Sequence, residues 1–156
     1  MARTHDYAVT VRWTGDEGSG TAGYRSYSRA HDVVAGGKPV LAGSADPAFL
    51  GDPARWNPEE LLVAALAQCH MLSYLALCAR QGVVVTGYSD AAEGTMEESA
   101  THGGHFTGVV LRPRVRVADE AMRHKAESLH HEAAETCFIA NSVDFPVHHH
   151  PVVEVG

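Results

Sequence analysis

The sequence has no CxxC pair and only three cysteines, Cys69, Cys78 and Cys137. An odd, widely spaced set makes a poor disulfide framework, and without CxxC a structural zinc site built on cysteine is disfavoured. Basic charge is scarce: 12 Lys and Arg stand against 19 Asp and Glu, a net charge of −7 with histidine neutral. That argues against a generic nucleic-acid binder, which would present a basic face. No uninterrupted apolar run reaches the roughly 20 residues that span a bilayer. The opening stretch MARTHDYAVTVRW lacks the apolar core of a signal peptide. The expectation is a soluble, cytoplasmic protein that engages neither nucleic acid nor membrane. Repeats, low-complexity tracts and linkers are also absent, so the chain reads as a single domain, 1–156.

What is present is an ordinary apolar content and many histidines, 11 in all. Three are consecutive, His148, His149 and His150. They read as a solvated or strand-borne run, because no convergent partners suggest a metal site. The β-rich YAVTVRW, residues 7–13, reads as a strand, and residues 14–20 as a turn. A second strand is expected over 21–34, a turn at Gly36-Gly37, an extended piece over 39–42 and an ordered loop over 43–56. Strands are expected over 83–88, 105–117 and 145–155, with a turn over 90–94 and a second helix over 118–135. Pro113 marks an edge or a bulge in the long strand. The short apolar segment from Cys137 to Val143 continues the helix or starts another turn. Strands, helix, strands, helix, strand give the α+β class.

The most informative stretch is NPEELLVAALAQCHMLSYLALCARQG, residues 57–82. Asn57 suits an N-cap and Pro58 the first helical position, where its missing N–H costs nothing. Glu59 and Glu60 favour the positive end of the helix dipole. Gly82 supplies a stop. Between these marks the helix is apolar on nearly every side, so it is expected to be buried on most sides, within a sheet or against a partner subunit.

Cys69 and Cys78 sit nine residues apart on this helix, roughly on opposite faces and about 13 Å apart along its axis, so they cannot pair within one chain. Cys78 reads as a small core residue. Cys69 has polar neighbours in Gln68, His70 and Ser73, and it can meet Cys137 if the two helices pack together. Glu59 and Glu60 precede a wholly apolar run, so partial desolvation of one of them is expected, and a buried carboxylate wants a cation. Arg25, Arg29 and Arg55 lie upstream. An arginine–glutamate pair near a thiol would supply the field that lowers a cysteine pKa. Alternatively, both glutamates serve only the helix dipole.

The run from Asn57 to Leu62, followed by Ala64-Ala65 and then Cys69, resembles the signature of the OsmC/Ohr family, in a less characterised OsmC-like branch. Cys137 resembles that family's second cysteine. The resemblance implies an intertwined α+β homodimer, with a central buried helix and a second helix packed on antiparallel sheet. It implies thiol-dependent reduction of organic hydroperoxides in oxidative stress defence. Cys69 would be the peroxidatic cysteine, Cys137 the resolving one, and Glu59 the partner of an arginine, for which Arg29 and Arg55 are the leading candidates. The substrate would be an organic hydroperoxide and the reductant an external dithiol, of lipoyl type or a small thiol. No metal or organic cofactor is implied. Glu59 and Cys69 are about 15 Å apart along one helix, so direct cooperation needs a second chain or a bridging arginine.

Two other readings use the same residues. In one, the protein is a module that holds a small hydrophobic ligand without peroxidase turnover. In the other, Cys69 is the nucleophile of a hydrolase. His70 cannot activate it, because adjacent helical residues point about 100° apart, so His105, His130 or His131 would have to serve.

Overall fold

The computed structural model describes residues 3–101 and 103–156. The chain forms two compact units, Met1–Leu61 and Leu62–Gly156.

In the N-terminal unit, β1 (Thr10–Trp13), β2 (His31–Val34) and β3 (Leu41–Gly43) form an antiparallel sheet in that order. The strand expected over 21–34 shrinks to β2. The segment before it curls instead, because the Ser26 hydroxyl donates to the carbonyls of Gly20 and Gly23 and accepts from the Gly23 N–H. The loop that follows β3 is ordered as expected. Asp46 caps a 3-10 turn, Pro47–Phe49, by accepting from the Ala48 N–H at 2.7 Å. Buried Ser44 accepts from the Asp52 N–H at 3.0 Å. Tyr7, Val9, Val11 and Trp13 line up along and just before β1 as a row of exposed apolar side chains.

The first helix, α1 (Pro58–Arg80), begins at the end of this unit. Its start is a reciprocal cap. The Asn57 side chain accepts from the Glu60 N–H at 2.8 Å, and the Glu60 carboxylate accepts from the Asn57 N–H at 3.3 Å. Two orphan donors of the first turn are thereby satisfied. At the other end Gly82 takes a positive φ of 77°, and the Val83 N–H donates to the Cys78 carbonyl, closing the helix. Within one chain the burial of α1 is a stripe, not the near-complete covering that its composition suggested: Leu66, His70, Tyr74, Leu77 and Cys78 are buried, while Leu72 is 60% exposed. By length and composition α1 is apolar enough to cross a membrane, against the expectation that no segment reaches that mark. Here its buried stripe packs on protein, and polar Gln68, His70 and Ser73 interrupt the apolar run.

The C-terminal unit adds β4 (Val85–Asp90), β5 (Glu93–Ser99), β6 (Gly103–Leu111), β7 (Pro113–Val117), α2 (Arg123–Glu135), β8 (Val147–His149) and β9 (Val152–Val155). They make two three-stranded sheets, β4-β7-β9 and β5-β6-β8. The single strand expected over 105–117 is two strands, and so is the one over 145–155. Arg112-Pro113 and His150-Pro151 are the breaks, since proline cannot continue the ladder of one sheet. The pairings β6–β8 and β7–β9 are parallel, so the sheets are mixed and not purely antiparallel. Strand β5 begins within the turn expected over 90–94 and runs on through residues for which no element was expected. A 3-10 turn, Glu120–Met122, capped by Asp119, delays the start of α2. The class is α+β, as expected.

Two apolar cores result. Tyr74, Leu77 and Cys78 of α1 pack with Val115 and Val117 of β7, Val153 of β9, and Ala126, Leu129 and Ala133 of α2. Leu66 packs with Val109 and Leu111 of β6, with Val63, Phe106 and Phe145 around them. Cys78 is thus the core residue it was expected to be.

Candidate functional site

Cys69 lies midway along α1, and Cys137 lies just past α2, where its N–H turns back to the Ala134 carbonyl. The two helices pack together, and the thiols adjoin. All three cysteines are free; Cys137 is buried and Cys69 is half-buried. Burial pushes the Cys137 thiol up to about 11, and a hydrogen bond with the Cys69 side chain adds to the rise. Cys137 therefore keeps its proton at neutral pH and offers it to Cys69. One sulfur is thus half-open and the other sheltered. Leu72, one turn beyond Cys69, and Phe138, next to Cys137, are both exposed apolar side chains.

Glu59 and Arg29 both belong to the N-terminal unit. Both line a cavity of about 320 Å³ together with Trp13, Tyr27, His31 and Phe49. Arg29 donates to the carbonyls of Tyr27 at 2.6 Å and Tyr24 at 2.5 Å. Its guanidinium also lies over both tyrosine rings, 4.1 Å from the centroid of Tyr27 and 4.6 Å from that of Tyr24. Among the described residues it has no carboxylate partner, so its charge is positioned but not neutralised. Arg55 is placed differently. Its Nε sits 3.9 Å from Asp52, and its buried Nη1 has no hydrogen-bond partner among the described residues. Arg25 is exposed. Glu59 is half-buried, whereas Glu60 is spent on the helix cap.

The histidines organise in a way that the sequence reading did not anticipate. His70 and His130 are buried and joined by a hydrogen bond, Nε2 to Nδ1, at 3.0 Å. His149, from the consecutive run, leans on His70 with ring centroids 4.5 Å apart. Tyr74 stacks on His130 at 3.9 Å and donates to the Ala126 carbonyl. The signal was there to be found. His70 stands four residues from Leu66 and four from Tyr74, on the buried stripe of α1, and His130 adjoins Leu129 on that of α2. Among the described residues no group of three His, Cys, Asp or Glu side chains is placed to hold a metal ion.

Comparison with known proteins joins these observations to a lineage. A comparison with curated proteins returns no match. Among solved structures, an OsmC-like protein of unknown function from Vibrio cholerae is 34% identical. It superposes with a TM-score of 0.85, covering 96% of this chain and 100% of that one. An organic hydroperoxide resistance protein OsmC from Legionella pneumophila shares 17% identity at a TM-score of 0.70, covering 98% and 99%. An organic hydroperoxide resistance protein from Elizabethkingia anophelis shares 14% at 0.71, with both chains fully covered. The latter two are likenesses of fold. The family described as OsmC-like protein matches residues 51–150, a span that holds Asn57, Glu59, Cys69 and Cys137 together. This chain belongs to the OsmC-like family.

Proposed function

We propose that this protein is a thiol-dependent peroxidase that reduces organic hydroperoxides in oxidative stress defence, working as a cytoplasmic homodimer. The observation that carries the reading is the adjoining pair of an open Cys69 and a buried, protonated Cys137. In the first step the Cys69 thiolate attacks the distal oxygen of ROOH. The O–O bond breaks, Cys69 becomes a sulfenic acid, and the alkoxide leaves and takes up a proton as ROH. Cys137 then attacks the sulfenic sulfur. An S–S bond forms, the S–O bond breaks, and water departs with the Cys137 proton. An external dithiol, of lipoyl type or a small thiol, restores both thiols by exchange and is itself oxidised to a disulfide.

Arg29, which lines one cavity with Glu59, is assigned to stabilise charge developing on the departing oxygen. What supports it over Arg55 and Arg25 is its guanidinium braced by two carbonyls and two tyrosine rings at that cavity. The exposed row Tyr7, Val9, Val11 and Trp13, together with exposed Leu72 and Phe138, supports assembly with a second copy, since so much apolar surface on one chain invites cover. Three unpaired cysteines fit a reducing compartment.

A second reading has one observation in its favour. The aromatic cavity around Trp13, Tyr27 and Phe49 suits a small hydrophobic ligand. Mass spectrometry of the reduced protein titrated with cumene hydroperoxide separates the two. Rapid formation of a Cys69–Cys137 disulfide, absent in Cys69→Ser, is the expected result. Thiols that stay reduced under a modest peroxide excess would overturn the peroxidase and leave the binding module.

A further inference from the structure

The elements that carry the two thiols are tied together by the histidine pair. His70 follows Cys69 on α1, and His130 lies about two turns before Cys137 near the end of α2. Their rings stack at 5.3 Å with planes 14° apart, in addition to the 3.0 Å hydrogen bond. His70 is fully buried and His130 is 3% exposed. The far nitrogens, His70 Nδ1 and His130 Nε2, are buried without a hydrogen-bond partner among the described residues. Two neutral imidazoles carry one N–H each, so whichever ring donates, one buried donor and one buried acceptor stay unpaired. Such a pair is a poor choice for packing alone, where two apolar side chains would leave nothing unsatisfied. What it adds over packing is direction: a hydrogen bond fixes the separation and angle between two helices.

We propose that His70 and His130 are positioning residues for the thiol pair, their hydrogen bond setting the approach of the end of α2 to the Cys69 turn of α1, and with it how readily Cys69 and Cys137 join in a disulfide. This rests on the two-cysteine reading above. The tie needs one of the two bonded nitrogens free of a proton, so it breaks when both rings are charged. Burial and the neighbouring His149 and His130 lower His70 to about 3, and burial with His149 lowers His130 to about 4. The titratable groups facing the pair are Tyr74 and Cys78 on α1, Glu127 and His131 on α2, and His148, His149 and His150 on and after β8, with Tyr88 of β4 behind Tyr74. Glu127 is the carboxylate among them, it is exposed, and among the described residues no carboxylate hydrogen-bonds either ring. Acid therefore meets a pair with nothing built to receive its charge.

The test equilibrates the reduced protein with glutathione and its disulfide. One glutathione disulfide is reduced to two glutathiones as the Cys69–Cys137 bond forms, and mass spectrometry reads the fraction oxidised. Losing one buried hydrogen bond should lower the effective molarity of the thiol pair about tenfold in His70→Leu and in His130→Leu. His70→Gln and His130→Asn place an amide near the bonded nitrogen and should stay within about threefold of the parent protein. The parent value should hold from pH 7 to pH 5 and fall between pH 4 and pH 3, where both rings take up protons, while that of the double amide variant should hold throughout. Folded leucine variants with unchanged effective molarity would overturn the proposal, as would a pH profile shared by the parent and the double amide variant. If the leucine variants do not fold, the amide variants and the pH profile decide. The equilibrium uses no peroxide. A glutathione response as expected, with no peroxide consumption, would sink the peroxidase reading and leave the positioning pair standing.

Discussion

Cys137 holds its proton next to Cys69, sheltered by burial that raises its thiol to about 11. The two cysteines are thereby given unequal tasks, and their serine variants should fail differently. Cys69→Ser should bring dithiol-dependent consumption of cumene hydroperoxide down to background. Cys137→Ser should consume one equivalent and stop, with a sulfenic acid on Cys69 that dimedone traps as a defined mass increase. Trapping at Cys137 in a Cys69→Ser protein would reverse the assignment.

Arg29 is braced by two carbonyls and two tyrosine rings, so its guanidinium is held in place before any ligand arrives. A preorganised charge of this kind contributes about 10²–10³ in rate. Arg29→Ala should lower the second-order rate constant for the hydroperoxide by that factor in stopped-flow measurements. Arg29→Lys should recover little, because an ammonium cannot reproduce the planar fork or the stacking. A larger loss in Arg55→Ala than in Arg29→Ala would move the role to Arg55.

Stability should fall in acid, and the sign follows from the buried histidines. His70 and His130 are held well below the ordinary histidine value, at about 3 and about 4. Below about pH 6.5 the unfolded chain binds protons that the folded chain refuses, so stability is full above that pH and is lost as pH falls toward the folded values, with a slope of up to about 1.4 kcal/mol per pH unit for each ring. Urea denaturation at pH 7, 6, 5 and 4 should show this loss, and it should shrink in the His70→Gln/His130→Asn protein. An equal loss in both would assign the acid sensitivity to other groups.

The reciprocal cap of Asn57 and Glu60 predicts a smaller, local effect. Asn57→Ala should cost about 1 kcal/mol of stability, the usual worth of an N-cap side chain. Glu60→Ala should cost less, and the two losses should fall short of additive in a double-mutant cycle, since each residue caps the other's N–H. Strict additivity would mean that the two contacts act independently.

The parts legible in the sequence are those written in local chemistry. Asn57, Pro58 and Gly82 mark the ends of α1 because caps and stops are read within one turn. Cys69 and Cys137 stood out through the resemblance to the OsmC/Ohr signature, to which the residues added only that the two could meet if the helices pack together. The strand breaks were hidden, because the alternation of residues 105–117 runs on through Arg112-Pro113 while the pairing partner changes from β5 and β8 to β4 and β9. Strand β5, GluGlyThrMetGluGluSer, has too little apolar alternation to announce itself, and its single half-buried side chain, Met96, confirms how little of it faces the core. The histidine pair was hidden by distance, since its partners lie 60 positions apart. His70 read as a polar neighbour of Cys69, and His149 as part of a solvated run, because neither shows its partner in sequence.

The two proline-marked breaks lie side by side. The chain leaves the β5-β6-β8 sheet after Leu111 and again after His149, and the His150 N–H donates to the Leu111 carbonyl at 2.9 Å where the crossings run together. Both sheets of the C-terminal unit are thus threaded by the same two parallel rails. Displacement of either sheet pulls on the other, because each rail is covalently continuous through both. Severing one rail would leave the second as a bridge, so load placed on one sheet passes to the other through the backbone itself as well as through side-chain packing.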